Sequence, residues 1–156
     1  MLCICFHLKQ QNYAVDTGYI ERVLPRMPVE PLDGAPPWLC GVFDWQGHAI
    51  PLVDFCMLCK GHASRALFST RVMLLHCRDH LGQEQQLGLL TEGVTGTIRY
   101  RLESVHRLDL HLVKAPYLAE IITDSKGMVQ LLDIDQLYNQ ELADLLRKKE
   151  QIIADS

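Results

Sequence analysis

The sequence predicts a mainly β protein closed by a single helix, and three features carry that prediction. The opening residues alternate with a period of two, placing Leu2, Ile4, Phe6 and Leu8 on one face and Cys3, Cys5 and His7 on the other. Two β-rich runs, Trp38 to Trp45 and His48 to Asp54, flank Gln46-Gly47 as the arms of a hairpin flank its turn. From Asp135 onward the apolar positions Leu137, Tyr138, Leu142, Leu145, Leu146 and Ile153 follow helical spacing instead, with Asp133 or Asp135 as the N-cap. Many short strands separated by turn signals point to barrels or a sandwich rather than a parallel α/β sheet.

The remaining elements follow in order. Lys9-Gln10-Gln11-Asn12 turns the first strand into Tyr13-Ala14-Val15-Asp16. Residues 25–37 hold five of the seven prolines together with Gly34, so this stretch is a surface loop, because proline has no N–H to donate to a ladder. Pro51, inside the second arm of the hairpin, marks that arm as an edge strand or a bulge. Strands are predicted at 71–77 and 86–91, joined by the polar stretch Arg78 to Gln85, with a short one at 93–98. Leu118 to Thr123 and Met128 to Leu132 flank Asp124-Ser125-Lys126-Gly127, a further hairpin signature.

Composition excludes several function classes. Apolar residues make up 48% and charged residues 22%, the profile of a folded domain rather than a disordered chain. The net charge of −4 gives no general attraction to nucleic acid or anionic lipid, and the one basic run, Arg147-Lys148-Lys149, reads as a solvated helix face. No stretch is long enough to span a bilayer. The apolar opening lacks the basic start and small-residue cleavage site of a signal peptide, so a cytoplasmic location with six free thiols is expected.

Candidate chemistry is sparse. Cys56-Met57-Leu58-Cys59 is a C-x-x-C, the spacing of a redox dithiol or of half a zinc site. It follows a strand, but no βαβ pattern surrounds it, and His48, His62, Cys40 and Cys77 form no second ligand pair. Structural packing is therefore the expected role, with redox or metal chemistry at Cys56 and Cys59 as the alternative. Among the seven histidines none stands in an H-E-x-x-H arrangement, and His76 and His80 straddle a strand end. There is no G-x-S-x-G elbow and no glycine-rich phosphate cradle. Asp44, Asp54 and Glu92 could meet as an acid–base pair, yet each also occupies an ordinary turn or strand-end position. No catalytic constellation, metal site or cofactor is expected.

What remains is a non-catalytic β domain with recognisable motifs. Tyr13-Ala14-Val15-Asp16, then Ile20 to Leu24, then the proline-rich loop resemble the opening of the CheW domain family. Gly34-Ala35-Pro36-Pro37-Trp38-Leu39-Cys40-Gly41-Val42 leading through Gln46-Gly47 to Ile50-Pro51-Leu52-Val53-Asp54 resembles that family's "G-V … R-G … I-P-V-[IV]-D-L". Gly88-Leu89-Leu90-Thr91-Glu92-Gly93-Val94 resembles its "G-L-[LV]-V-D-x-V" strand, and Tyr117 to Asp135 its closing segment. The resemblance runs the length of the chain in the right order. It implies a single domain, residues 1–156, of two SH3-like five-stranded β-barrels on a shared hydrophobic core. The barrels would span roughly 12–70 and 71–134 plus the N-terminal strand, followed by a C-terminal helix at about 135–153.

The same resemblance implies a job. Proteins of this family couple chemoreceptors to a CheA-type histidine kinase, joining the kinase regulatory domain through barrel ends and receiving the receptor's cytoplasmic tip in a groove. On that basis Ile20 and Val23 are groove contacts, with plain core as the other reading, and Gly41, Gln46 and Gly47 belong to the interaction motif. Phe43 and Trp45 are either outward partner anchors or inward core. Two positions depart from the family: Gln46 stands where it has arginine and Arg22 where it has glutamate, so the usual ion pair is replaced at most by a hydrogen bond. The departures imply a dedicated, non-flagellar pathway, and the Gly34-Ala35-Pro36-Pro37 lead and the Val53-Asp54-Phe55-Cys56 ending resemble adaptors of Wsp-type surface-sensing systems. The length leaves no room for a kinase core or receiver domain, which implies a standalone cytoplasmic adaptor recruited to membrane-bound arrays. The rival to the adaptor reading, besides the cysteine chemistry, is an SH3-like peptide-binding module.

Overall fold

The computed structural model describes residues 1–109, 115–124 and 127–155, with side chains described as far as Arg147 and not at 124. The expected class is what it shows: mainly β, with a helix at the C-terminal end. In chain order the elements are β1 (Leu2–Leu8), β2 (Gln11–Asp16), β3 (Ile20–Leu24), β4 (Leu39–Trp45), β5 (His48–Asp54), α1 (Phe55–Lys60), β6 (Arg71–Arg78), β7 (Glu84–Thr91), β8 (Val94–Arg99), β9 (Val105–Arg107), β10 (Glu120–Asp124), β11 (Gly127–Leu131) and α2 (Gln140–Asp155).

Two sheets result. The first has the order β8-β1-β2-β11-β10-β9 and the second β3-β6-β7-β5-β4. The first holds six strands rather than five, because the three-residue β9 adds itself beside β10. The sheets do not divide at about residue 70. β2 pairs with β1 and, in parallel, with β11, while β6 and β7 pair with β3 and β5. The chain leaves the first sheet after β2, builds the whole of the second from β3 to β7, and returns, so the first sheet is assembled from segments on either side of the second.

Each sheet curls around apolar side chains of its own. Cys3, Cys5, Ala14, Ile122, Val129 and Leu131 fill the first, and Leu24, Phe43, Ile50, Leu52, Val72 and Leu74 the second. The other faces of the same strands meet in a third cluster that both sheets share. Phe6, Leu8, Tyr13 and Val15 enter it from the first sheet, and Leu39, Val53, Met73, Leu75, Leu87 and Leu89 from the second. This explains a departure from simple alternation: in β1 only His7 is exposed, since Cys3 and Cys5 point into one core and Phe6 and Leu8 into another. A strand covered on both faces reads as a continuous apolar run, as Val72 to Leu75 does.

An aromatic group sits at the junction. The Phe6 and Tyr13 rings stack at 5.3 Å, and Phe55, the first residue of α1, meets both edge-on at 5.3 and 5.1 Å. Tyr117 closes on Phe55 at 6.3 Å. The short helix is thereby a plug between the sheets. Asp54 starts it by accepting from the Met57 N–H at 3.2 Å, and Gly61 ends it.

Pro51 lies on a strand flanked on both sides, not on an edge. The Val42 N–H and C=O, opposite Pro51, both bond to Glu30, so Pro51 and Val42 form a non-hydrogen-bonded pair. The missing N–H of Pro51 therefore faces β7, and β7 pairs with β5 only from Leu52 onward. The proline stands where the two strands part.

α2 starts later than its spacing predicts. Leu137 and Tyr138 are drawn into the central core first, after a turn of 3₁₀ helix at Ile134–Gln136, and Asp133 makes no side-chain cap bond. The cap is Asn139, whose Oδ1 accepts from the Leu142 N–H at 2.8 Å. Ser125 and Lys126, the tip of the last predicted hairpin, lie outside the described residues, as do the side chains of Lys148, Lys149 and Ile153.

Two backbone positions generate predictions. Gly41 has φ +142°, and a Cβ there would stand 2.1 Å from the Glu30 carbonyl oxygen. Gly41→Ala is expected to cost about 1–3 kcal/mol, read as a lower denaturation midpoint, because the proline-rich loop must move off β4. Gln46 and Gly47 have φ +51° and +84°, both positive as in a type I′ turn, which favours Asn-Gly. Gln46→Asn should stabilise by on the order of 0.5–1 kcal/mol, part of the roughly 1–2 kcal/mol an L residue incurs in the left-handed region; an unchanged midpoint would contradict this.

Candidate interaction surfaces

The residues singled out from the sequence separate into three groups. On β3, an edge of the second sheet, Ile20 is half-buried against the central core, whereas Arg22 is exposed and Val23 is 42% exposed. A bulge lies between Ile20 and Arg22, which pair with Leu75 and Leu74 in turn, so Glu21 is the extra residue. The Glu21 carboxylate accepts from the Gln86 side-chain amide at 2.8 Å. This group is available to a partner.

On β4, Gly41 and Phe43 are not. Phe43 is 2% exposed, and its ring fills the space over Gly88, where a Cβ would approach Cε1 to 2.5 Å. Of the two readings left open for Phe43, inward core is the observed one. Gly41 is buried beneath the Glu30 backbone, which bridges to Val42 and covers the outer edge of β4. Trp45 is half-buried against the second sheet's own core. Gln46 and Gly47 form the exposed turn, where Asp44 Oδ1 accepts from the Gly47 N–H at 2.9 Å.

Arg22 and Gln46 make no hydrogen bond with each other among the described residues. β3 and β4, on which they sit or end, are the two ends of the second sheet's strand order.

The carboxylates weighed for acid–base work hold loops instead. Besides capping α1, Asp54 accepts from the Ser64 N–H at 2.9 Å and from the Ser64 hydroxyl. Glu92, 3% exposed, accepts from the Arg65 N–H at 2.7 Å and from its guanidinium at 3.1 Å. Burial alone would raise the Glu92 carboxyl, but the Arg65 donors and charge outweigh it and hold it below the usual carboxylate range. Asp44 and Asp54 lie at opposite ends of their hairpin, since Asp44 pairs with Ala49 beside the turn.

Cys56 Sγ lies 3.3 Å from His62 Nδ1, the arrangement of an activated thiol, yet the electrostatics run the other way. Burial and then the negative charges of Glu92 and Asp54 push the Cys56 thiol up to about 11. Burial likewise raises Cys59. A thiol held protonated is a poor nucleophile and a poor metal ligand. Among the described residues no three His, Cys, Asp or Glu side chains stand together as a metal would require, and no helix is long and apolar enough to cross a membrane.

Two features were missed from the sequence. Where β5 and β7 part at Pro51, a cavity of about 900 Å³ opens, lined by Ile50, Pro51, Tyr138, Leu146, Glu21 and Glu84 among others. Pro51 was its one sequence signal. At the opposite end of the sheet Phe68 is 99% exposed, and nothing in its local sequence separates it from the buried aromatics.

Comparison with known proteins bears on the whole chain. A solved structure, that of the scaffolding protein TtCheW from Thermoanaerobacter tengcongensis, matches with a TM-score of 0.71 at 18% identity. The match covers 85% of this chain and 88% of that one, and at this identity it speaks for the fold. No curated protein matches. The family model for the CheW-like domain matches residues 2–142, all of both sheets and the start of α2, and the chain belongs to the CheW-like domain family.

Proposed function

We propose that this chain is a non-catalytic adaptor that couples the cytoplasmic tips of chemoreceptors to the regulatory domain of a CheA-type histidine kinase. The observation that carries the reading is the family match over residues 2–142. It is supported by what the ionisable side chains do: Asp54 and Glu92 hold loops, and burial pushes both C-x-x-C thiols up. An adaptor needs surfaces rather than a reacting group. Apolar contacts of modest area, each weak, become effective when many copies are arrayed.

The receptor side is assigned to β3, where Val23 presents an exposed apolar side chain beside Arg22, with Ile20 half-buried behind it. Arg22 and Gln46 then define the specificity. A receptor tip matched to the family's glutamate and arginine meets a cation at one position and a neutral amide at the other. We therefore read the protein as serving a dedicated, non-flagellar pathway, of which a Wsp-type surface-sensing system is the example its motifs resemble. Its place would be the cytoplasmic face of a membrane-bound receptor array.

Calorimetry with the purified regulatory domain of a CheA-type kinase tests the coupling directly, and binding in the micromolar range or tighter is expected. No binding, under conditions where another adaptor of the family binds, would sink the reading. Val23→Asp should weaken binding of a receptor tip by about tenfold or more while leaving the melting transition in place, since exposed positions tolerate substitution. Replacing Cys56 and Cys59 together by Ser should leave both affinities unchanged; a loss with the fold intact would revive the cysteine reading.

A further inference from the structure

β3 changes face part-way along. Ile20 pairs with Leu75 and packs into the central core that the two sheets share. Leu24, four residues on, pairs with Val72 and lies in the second sheet's own core. In a regular strand, positions four apart point the same way. The bulge makes the difference: the step from Ile20 to Arg22 on β3 answers the single step from Leu75 to Leu74 on β6. The extra residue, Glu21, moves everything after it to the other face.

Val23 owes its place to that inversion. It stands opposite Met73, a central-core residue, and so shares a face with Ile20, although the two are three residues apart. In an unbulged β3 they would point to opposite sides, and one apolar patch would be split in two. Arg22 stands opposite Leu74 and so takes the other face. The surface assigned to a receptor tip therefore exists in this form only while the bulge does.

A side-chain bond ties the bulge down. The Glu21 carboxylate accepts from the Gln86 side-chain amide at 2.8 Å. Gln86 is on β7, which β6 separates from β3, so the bond spans a whole strand. Glu21, His76 and Gln86 line the same cavity, one from each of the three strands, and His76 is the residue that pairs with Gln86. The Tyr19 ring, 6.5 Å from that of His76, holds the start of β3 against the same strand. An edge strand has no outer neighbour to keep it in register, and Gln86 supplies the hold from inside the sheet.

We infer that Gln86 is a positioning residue for the receptor-facing edge: through Glu21 it holds the β3 bulge that sets Ile20 and Val23 side by side. This role rests on the adaptor reading and gives it a determinant two strands in from the edge that the receptor tip meets. The pair joins one acceptor to one donor, so its two ends can be exchanged without loss of the bond.

Calorimetry on variants of the whole chain, with a purified chemoreceptor tip and with a kinase regulatory domain, tests it. Gln86→Leu, which removes the donor, should weaken tip binding by about threefold to tenfold, the range of one hydrogen bond. Gln86→Glu, which sets two carboxylates against each other, should weaken it at least as much. Glu21→Gln combined with Gln86→Glu restores one donor and one acceptor, and tip affinity should return to within about twofold of wild type. Kinase affinity and the melting transition should stay constant throughout, and amide exchange at residues 21–23 should quicken in the two single variants only. Wild-type tip binding that Gln86→Leu matches overturns this inference alone. So does an exchanged pair that stays weak, or a loss of tip and kinase binding together. A wild type that binds no tip overturns it along with the adaptor reading, so the two failures are told apart.

Discussion

Phe6, Tyr13 and Phe55 meet where the two sheets share a wall, and most of the structure answers to that contact. The first two rings come from a hairpin of the first sheet, and the third is brought by the helix that follows β5 of the second. Each ring is at most 1% exposed, and burial of aromatic side chains on this scale is the largest apolar contribution a small domain can make. Because the wall is common, the strands beside it are covered on both faces, and each sheet buries its outer apolar face against the other. A chain of this length thus obtains one deep core from two shallow sheets.

The polar groups near that core follow from it. A carboxylate buried without donors would carry a large desolvation penalty, so Asp54 and Glu92 are surrounded by N–H groups from the loop between α1 and β6. The donors and the carboxylates fix one another, because each hydrogen bond that satisfies an acid also holds the loop. The same neighbourhood, negatively charged and dry, keeps Cys56 a thiol despite the imidazole beside it. Residues that looked reactive by type are therefore structural by environment.

Edges and gaps are where the fold leaves surface for partners. Glu30 closes the outer edge of β4, which explains Gly41, while β3 remains open with Val23 and Arg22 upon it. The parting of β5 from β7 at a proline leaves a cavity at one end of the second sheet, and the stapled loop leaves a ring standing at the other. The glycines and aromatics of the family motif are thus mixed in role. Gly41, Gly88 and Phe43 shape the sheet, and the side chains able to touch another protein lie beside them in the sequence rather than among them.

Local patterns in the sequence determined the strands of both hairpin arms, the proline-rich loop, the apolar helix and, through ordered motifs, the family. Those features depend on residues within a few positions of each other, and such residues constrain one another through backbone geometry alone. Tertiary structure alone decided the rest. Alternation says that Phe43 and Val42 point to opposite sides, but only the far-off Gly88 and Val72 make one side interior. It could not tell that Cys3 and Cys5 have a core of their own, that β6 and β7 pair with β3 and β5, or that Asn139 rather than Asp133 caps the helix, since each depends on what a distant segment covers. The candidate site divides in the same way: residue types could be named from the sequence, but exposure belongs to the assembled surface, because burial is a property of all neighbours at once.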